Sequence, residues 1–228
     1  MFKRPARCTA AVLTLFLLVE VASGPGSVRA GSVTYLVNVS TNPIAGQAGN
    51  LDFQFNPGSA SAESATATVT NFQSVGGVLS QPATLTGDAS GSLPGALTLN
   101  NSTAYNDVFQ GFTYGASFDF VLTLSGQALN SPGGSSGSSF AVSLYDAAGV
   151  TPLLTTDPNG SVLTANVNVS GTVTILTFPQ SSTNSTPVAS VSSVPEPASL
   201  ILLGLGVLGS LAYGWRQGRN GKTGQVRH

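Results

Sequence analysis

The residues of the chain's central part that could do chemistry are almost all carboxylates. Between residues 31 and 193 there is no Lys, Arg, His or Cys. Ser-His-Asp, Cys-His and Ser-Lys catalysis each need a base that is missing here, and phosphate-binding loops and nucleic-acid binding need cations. The sequence therefore excludes these classes for residues 31–193. The acidic residues are Asp52, Glu63, Asp88, Asp107, Asp119, Asp146 and Asp157.

Carboxylates alone leave two kinds of chemistry open. Glycoside hydrolysis needs two carboxyl groups about 5 to 10 Å apart, and calcium binding needs carboxylate and amide oxygens. The acidic residues lie singly at predicted strand ends and turns, so we interpret them as solvated surface charges and expect neither enzymatic activity nor a cofactor. The candidate calcium clusters are Asn106-Asp107 and Asp157-Pro158-Asn159-Gly160, and the second is also typical of a type I turn.

An aromatic-rich stretch supports a third hypothesis, polysaccharide binding. Sugar sites combine exposed aromatic rings with polar groups. The alternative is that these rings belong to the core of a β-sheet protein, and residues 31–193 contain no Trp, the best stacking residue. The candidate rings are Tyr105, Phe109, Phe112 and Tyr114, and the polar candidates are Asn106, Asp107 and Gln110.

The elements that must position these residues are strands. Apolar residues recur at every second position, Gly and Pro separate the runs, and no stretch keeps a helical period. We therefore predict an all-β body over residues 31–179, a β-sandwich of jelly-roll or immunoglobulin-like type, with a closed barrel as the alternative. The clearest runs are residues 33–39, 51–55, 118–124, 140–144, 163–169 and 173–178.

Residues 180–193 differ in composition from the body. Most of them are Ser or Thr, with few apolar side chains among them. Such a stretch buries too little apolar surface to offset the entropy of ordering it. We predict a flexible stalk here.

Residues 1–30 have the layout of a secretory signal peptide. Lys3, Arg4 and Arg7 precede an apolar run from residue 10 to 19, and small residues follow it. The Sec machinery is then the expected export partner, with cleavage after Ala30 or at the second small-residue site at 22–24. A buried N-terminal helix is the alternative.

Residues 198–215 predict a single transmembrane helix. They carry no charge, and 18 helical residues extend about 27 Å, enough to span a hydrocarbon core. Arg216, Arg219 and Lys222 follow directly, so the positive-inside rule keeps residues 220–228 cytoplasmic and the body outside. A water-soluble core helix is the alternative.

A short motif precedes this segment. In Pro195-Glu196-Pro197 the prolines remove two backbone donors and favour an extended path that an enzyme can reach. Residues 194–219 combine the Pro-Glu-Pro motif, the predicted transmembrane helix and the basic residues in this order. This combination resembles the PEP-CTERM sorting domain. The resemblance implies processing by an exosortase-type membrane enzyme, with the three motif residues as the sorting signal. An ordinary stop-transfer anchor with a rigid proline spacer is the alternative.

Three segments of the body resemble a group of PEP-CTERM proteins without an assigned activity. They are residues 51–58, 138–146 and 153–160. The combined expectation is an exported protein, anchored in the inner membrane with its body in the periplasm and then released to the cell surface or matrix. Its expected role is structural or adhesive in an exopolysaccharide layer. A polysaccharide-binding module is the alternative, and a carboxylate-based glycoside hydrolase is a weaker one.

Overall fold

The protein's fold consists of two antiparallel β-sheets. In this computed structural model, residues 31–80, residues 82–195 and Leu208 are described. Strands cover most of these residues, and the helical segments within the two ranges are the 3-10 turn Asn42–Ile44 and helix α1, Gln127–Asn130. The prediction of an all-β body is confirmed.

Sheet A contains the strands from both ends of the body. Its strands are β1 (Ser32–Ser40), β3 (Thr66–Val75), β6 (Ala89–Gly91), β7 (Leu97–Asn100), β9 (Ser117–Ser125) and β13 (Ala189–Val194). They lie in the order β13-β1-β9-β3-β7-β6. Strand β1 is thus held between β9 and β13.

Sheet B contains the strands on which the candidate site lies. Its strands are β2 (Ala48–Pro57), β4 (Val78–Leu79), β5 (Thr84–Thr86), β8 (Asp107–Thr113), β10 (Ser138–Asp146), β11 (Ser161–Val167) and β12 (Val173–Thr177). The order is β12-β11-β10-β2-β8-β4, and β5 also pairs with β8. Strands β2, β8 and β10 therefore lie side by side in the sheet.

Alternate side chains of the two sheets meet in one core. The Phe53 ring of sheet B packs edge-to-face on Phe120 of sheet A, with the ring centroids 5.5 Å apart. Both residues are fully buried, as their period-two patterns predict, and burying each side chain is worth about 1.5 to 3 kcal/mol. Because the two sheets face each other as separate layers, the structure is consistent with a sandwich and does not support the closed barrel.

The prediction of a flexible stalk is wrong for its last residues. Residues Ala189–Val194 form strand β13, which pairs with β1 from Val39 to Thr34. Val188 and Ala189 are buried, so the small apolar side chains of this Ser-rich stretch contribute to the core. The ladder to β1 satisfies its backbone groups, which the composition of the segment could not indicate. The folded body extends to residue 194 instead of ending at residue 179.

The two ends of the body leave sheet A side by side. Thr34 lies opposite Val194 in the ladder between β1 and β13. The predicted signal peptide and, apart from Leu208, the predicted span lie outside the described residues. Within the described part of the chain, no helix combines the length and the apolar character that crossing a membrane requires.

Candidate functional site

The outer face of sheet B carries two neighbouring carboxyl groups, Asp52 and Asp107, called the acidic pair below. Asp52 lies on β2 opposite Phe109 of β8, and Asp107 lies on β8 opposite Gln54 of β2. The two residues are thus diagonal neighbours on one face, a distance that side chains can bridge. Only 3% of Asp52 and 6% of Asp107 is exposed.

The two carboxyl groups lie close enough for each to affect the ionisation of the other. Burial raises the pKa of Asp52 to about 8, and the hydrogen bond with Asp107 and its negative charge add to this increase. The Gln54 side chain opposes it by donating from Nε2 to Asp52 Oδ2 at 2.7 Å. Two carboxylates this close and this buried cannot both keep a negative charge without a positive partner.

The protein supplies no such partner between residues 31 and 195, which contain no Lys, Arg or His. Within the described residues, neither Asp52 Oδ1 nor Asp107 Oδ1 accepts a hydrogen bond from a protein donor. A hydrogen bond between the two acids requires a proton on one of them. The positive charge at the acidic pair must therefore come from solvent, as a proton or a metal cation.

Three partly exposed aromatic rings surround the acidic pair. Tyr105 is 47% exposed, and Gln54 Nε2 lies 3.4 Å from its hydroxyl. The pKa of Tyr105 is raised to about 12, mainly by burial and to a smaller extent by the negative charges of Asp107 and Asp52. The pKa of Tyr145 is also raised, mainly by burial and to a smaller extent by the negative charge of Asp52. The Tyr145 ring lies 6.0 Å from the ring of Phe109.

A polar groove of about 380 Å³ continues from this cluster across β2, β10 and β11. Its floor is made of hydroxyl and amide side chains, which offer both donors and acceptors. At the far side it reaches Leu176 and Phe178. The floor residues are Gln54, Asn56, Ser139, Ser143, Thr164 and Asn166.

A larger pocket of about 640 Å³ lies at one end of the sandwich, between residues 57–66 and 100–104. It has no aromatic lining residue. Its carboxylate, Asp88, already accepts hydrogen bonds from Ser102 and Asn100. The groove on sheet B is lined by polar groups and Phe178, and Gln54 at its margin lies beside the Tyr105 ring. We therefore take the groove, together with the neighbouring rings, as the candidate site despite its smaller volume.

The structure divides the predicted sugar-binding residues into two groups. Phe112 and Tyr114 belong to the buried core, and Asn106, Asp107 and Gln110 are also buried. The Tyr114 hydroxyl donates to the carbonyls of Asn50 and Tyr145, at 2.8 and 2.9 Å. Only Tyr105 and Phe109 of the predicted set remain at the surface, and the structure adds Tyr145 to them.

In the two predicted calcium clusters, Asn106 and Asp157 have other hydrogen-bond partners, while Asp107 belongs to the acidic pair. Asn106 donates from Nδ2 to the carbonyls of Phe55 and Thr103 and accepts from the Asp88 N–H, so its amide fastens loops together. In the second cluster, Gly160 N donates to Asp157 O at 2.9 Å. Ser161 N also donates to Asp157 Oδ2 at 3.1 Å. The interpretation of residues 157–160 as a turn is confirmed.

Sequence reasoning missed the acidic pair. Asp52 and Asp107 were interpreted as solvated charges, and the structure buries both. The period-two pattern does place Asp52 and Gln54 opposite the core residues Leu51 and Phe53. No local signal, however, says that β2 pairs with β8, more than 50 positions later.

Comparison with known protein families identifies the chain's C-terminal region. Residues 193–219 match the family described as the PEP-CTERM protein-sorting motif. The search of curated proteins and the search of solved structures gave no significant match. The chain thus carries a PEP-CTERM sorting motif, which supports export and processing of a membrane-anchored intermediate by an exosortase-type enzyme.

The matched region contains most of the predicted sorting residues. Pro195, Glu196, Pro197, Arg216 and Arg219 all lie within residues 193–219. Pro195 directly follows β13, and the other four lie outside the described residues. Ala30 and Lys222 lie outside both the match and the described residues, so their roles stay predictions.

Proposed function

We propose that this protein, once exported and sorted, serves as an adhesive component of an extracellular polysaccharide layer, with the groove on sheet B as its contact surface. The observation that supports this most strongly is that Gln54 of the hydroxyl and amide floor lies beside the exposed Tyr105 ring. The partly exposed rings of Phe109 and Tyr145 form a second aromatic pair on the same face of sheet B. Sugar rings stack on aromatic faces while their hydroxyls exchange hydrogen bonds with such groups.

The charge of the body favours a neutral polymer at this groove. Residues 31–193 contain acidic residues and no basic ones, and Asp157 lies at the groove itself. An anionic polymer would be repelled at low salt. We expect anionic exopolysaccharide to associate with the body only when a divalent cation bridges the two.

Binding of the full chain, in detergent micelles, to extracted exopolysaccharide tests this proposal. Because each lost stacking contact is worth about 0.5 to 1.5 kcal/mol, we expect Tyr105→Ala and Tyr145→Ala each to weaken binding by about 2- to 13-fold. Affinity gel electrophoresis with a panel of neutral and anionic polysaccharides measures this change.

The control variant is Leu36→Ala, since Leu36 is 43% exposed on sheet A, away from the groove. It should bind as the unmodified chain does. If no polysaccharide binds even at millimolar sugar, or if Leu36→Ala weakens binding as much as the tyrosine variants do, sheet B is not the contact surface. A purely structural role would then remain.

A further inference from the structure

The acidic pair stands out in the body because its neighbourhood lacks any protein cation. Every Lys and Arg of the chain lies before residue 30 or after residue 215. Leaving two carboxylates together in a buried position costs several kcal/mol unless a positive charge joins them. Asp52 and Asp107 are 97% and 94% buried, so solvent screening does little to relieve this repulsion.

The unused oxygens of the acidic pair indicate where a positive charge would sit. Asp52 Oδ2 is already occupied by the Gln54 amide. Oδ1 of each carboxyl group has no protein donor, although most buried polar atoms in proteins have one. These two atoms belong to side chains at diagonal positions on one face of sheet B. They are therefore free to act together as ligands.

The surrounding groups select the kind of cation. The Tyr105 hydroxyl lies 3.4 Å from Nε2 of Gln54, whose Nε2 also donates to Asp52, and Ser143 lies opposite Asp52 on β10. Residues 31–195 contain no His or Cys, so nitrogen and sulfur ligands for a transition metal are missing here. Within the described residues no group of three or more His, Cys, Asp and Glu side chains could hold a metal ion, so a cation at this position would have two carboxylate ligands. Oxygen ligands suit the hard cations calcium and magnesium, and one or two carboxylates completed by water suffice for such a site.

We propose that Asp52 and Asp107 bind one divalent cation, calcium in the first place, at the outer face of sheet B. The cation joins β2 to β8, because each strand contributes one carboxylate. Water completes its coordination from the side of the exposed Tyr105. With few protein ligands the affinity is modest, a Kd of about 0.1 to 1 mM, as in other extracellular calcium modules.

Terbium luminescence tests this site directly. Terbium replaces calcium at oxygen sites and emits when a nearby tyrosine is excited, and Tyr105 and Tyr145 flank the acidic pair. We expect the full chain in detergent micelles, after removal of metals with a chelator, to show saturable sensitised emission at one equivalent of terbium. Calcium should compete for this site and should also raise the melting temperature.

Matched variants separate this site from general attraction to an acidic protein. Asp52→Asn and Asp107→Asn remove a ligand charge while keeping the shape, and each should lower terbium affinity at least 10-fold and abolish the calcium-dependent rise in melting temperature. Asp119→Asn removes the same charge from β9, on the outer face of sheet A, and should leave both unchanged. Circular dichroism verifies that each variant is folded.

Three results would overturn the proposal. The unmodified chain could show no saturable terbium emission, calcium could fail to compete, or Asp119→Asn could reduce the emission as much as Asp52→Asn does. The first two need no variant, so they decide the question even if an Asn variant unfolds. Because neutral polysaccharide binding is measured without metal, its failure is distinguishable from failure of the cation site.

Discussion

At the scale of single residues, Asn106 contributes more to the fold than its place in a loop indicates. Its side-chain Nδ2 donates to the carbonyls of Phe55 and Thr103, and its Oδ1 accepts from the Asp88 N–H. Its backbone N–H donates to Asn56 Oδ1. It also directly precedes Asp107, so it sets where one half of the acidic pair lies.

Asn106→Ala should therefore destabilise the protein strongly. The substitution removes the hydrogen bonds to the buried Phe55 carbonyl and to the part-buried Asp88 N–H and Thr103 carbonyl. An unsatisfied buried group costs about 1 to 3 kcal/mol, so we expect a total loss of about 2 to 4 kcal/mol in the free energy of unfolding. Urea unfolding followed by circular dichroism measures it. The control is Asn159→Ala in an exposed turn, for which we expect a change within about 0.5 kcal/mol. Equal effects of the two substitutions would contradict this role of Asn106.

At the scale of elements, strand β13 replaces the expected stalk and joins the body directly to the sorting motif. The motif match begins at residue 193, while β13 ends at Val194, so the two overlap. The body therefore offers a processing enzyme no long spacer, and the residues to be recognised start at the edge of sheet A.

A pair of neighbouring substitutions tests the attachment of β13. Ala189 is 5% exposed and its neighbour Ser190 is exposed. Ala189→Asp should detach β13 from β1, because burying an unpaired carboxylate costs several kcal/mol, and should make residues 180–194 sensitive to limited proteolysis. Ser190→Asp adds the same charge on the solvent side and should leave the segment resistant. If both variants are cleaved at the rate of the unmodified chain, β13 is not held as the structure shows.

At the scale of the whole molecule, both ends of the body leave sheet A side by side, since Thr34 lies opposite Val194. The segment preceding the body and the sorting motif following it therefore start from the same end of the sandwich. Loss of either β1 or β13 would remove a ladder of main-chain hydrogen bonds from the edge of sheet A.

The processed protein should accordingly keep both strands. We expect the intact mass of protein purified from its own host to fit a first residue at 31, after cleavage at Ala30, and a last residue at or beyond 195. Cuts at these places leave the ladder between β1 and β13 whole. A mature end inside residues 33–39 or 189–194 would contradict this expectation. Full-length mass throughout the cell would contradict processing itself.

The sequence alone determined the local properties of this protein. At each end of the chain, the position of basic residues next to an apolar run predicts an export or anchor segment. The motif at residues 195–197 can be recognised from sequence because sorting signals are short and continuous. Alternation of apolar residues predicts strands and the face that each buries, as at Leu51, Phe53 and Phe55, because successive side chains of a strand point to opposite faces.

Only the tertiary structure decided which strands become neighbours. Alternation does not specify a strand's partner, so neither the contact of Asp52 with Asp107 nor the docking of β13 on β1 could be derived from it. The same limit applies to the aromatic residues, since Tyr105 and Tyr114 look alike in sequence but one is half-exposed and the other buried. Strands far apart in the chain pair in the arrangement that buries the whole core and satisfies the backbone hydrogen-bonding groups. Both requirements depend on the assembled sheets, so a single strand's sequence does not reveal its partner.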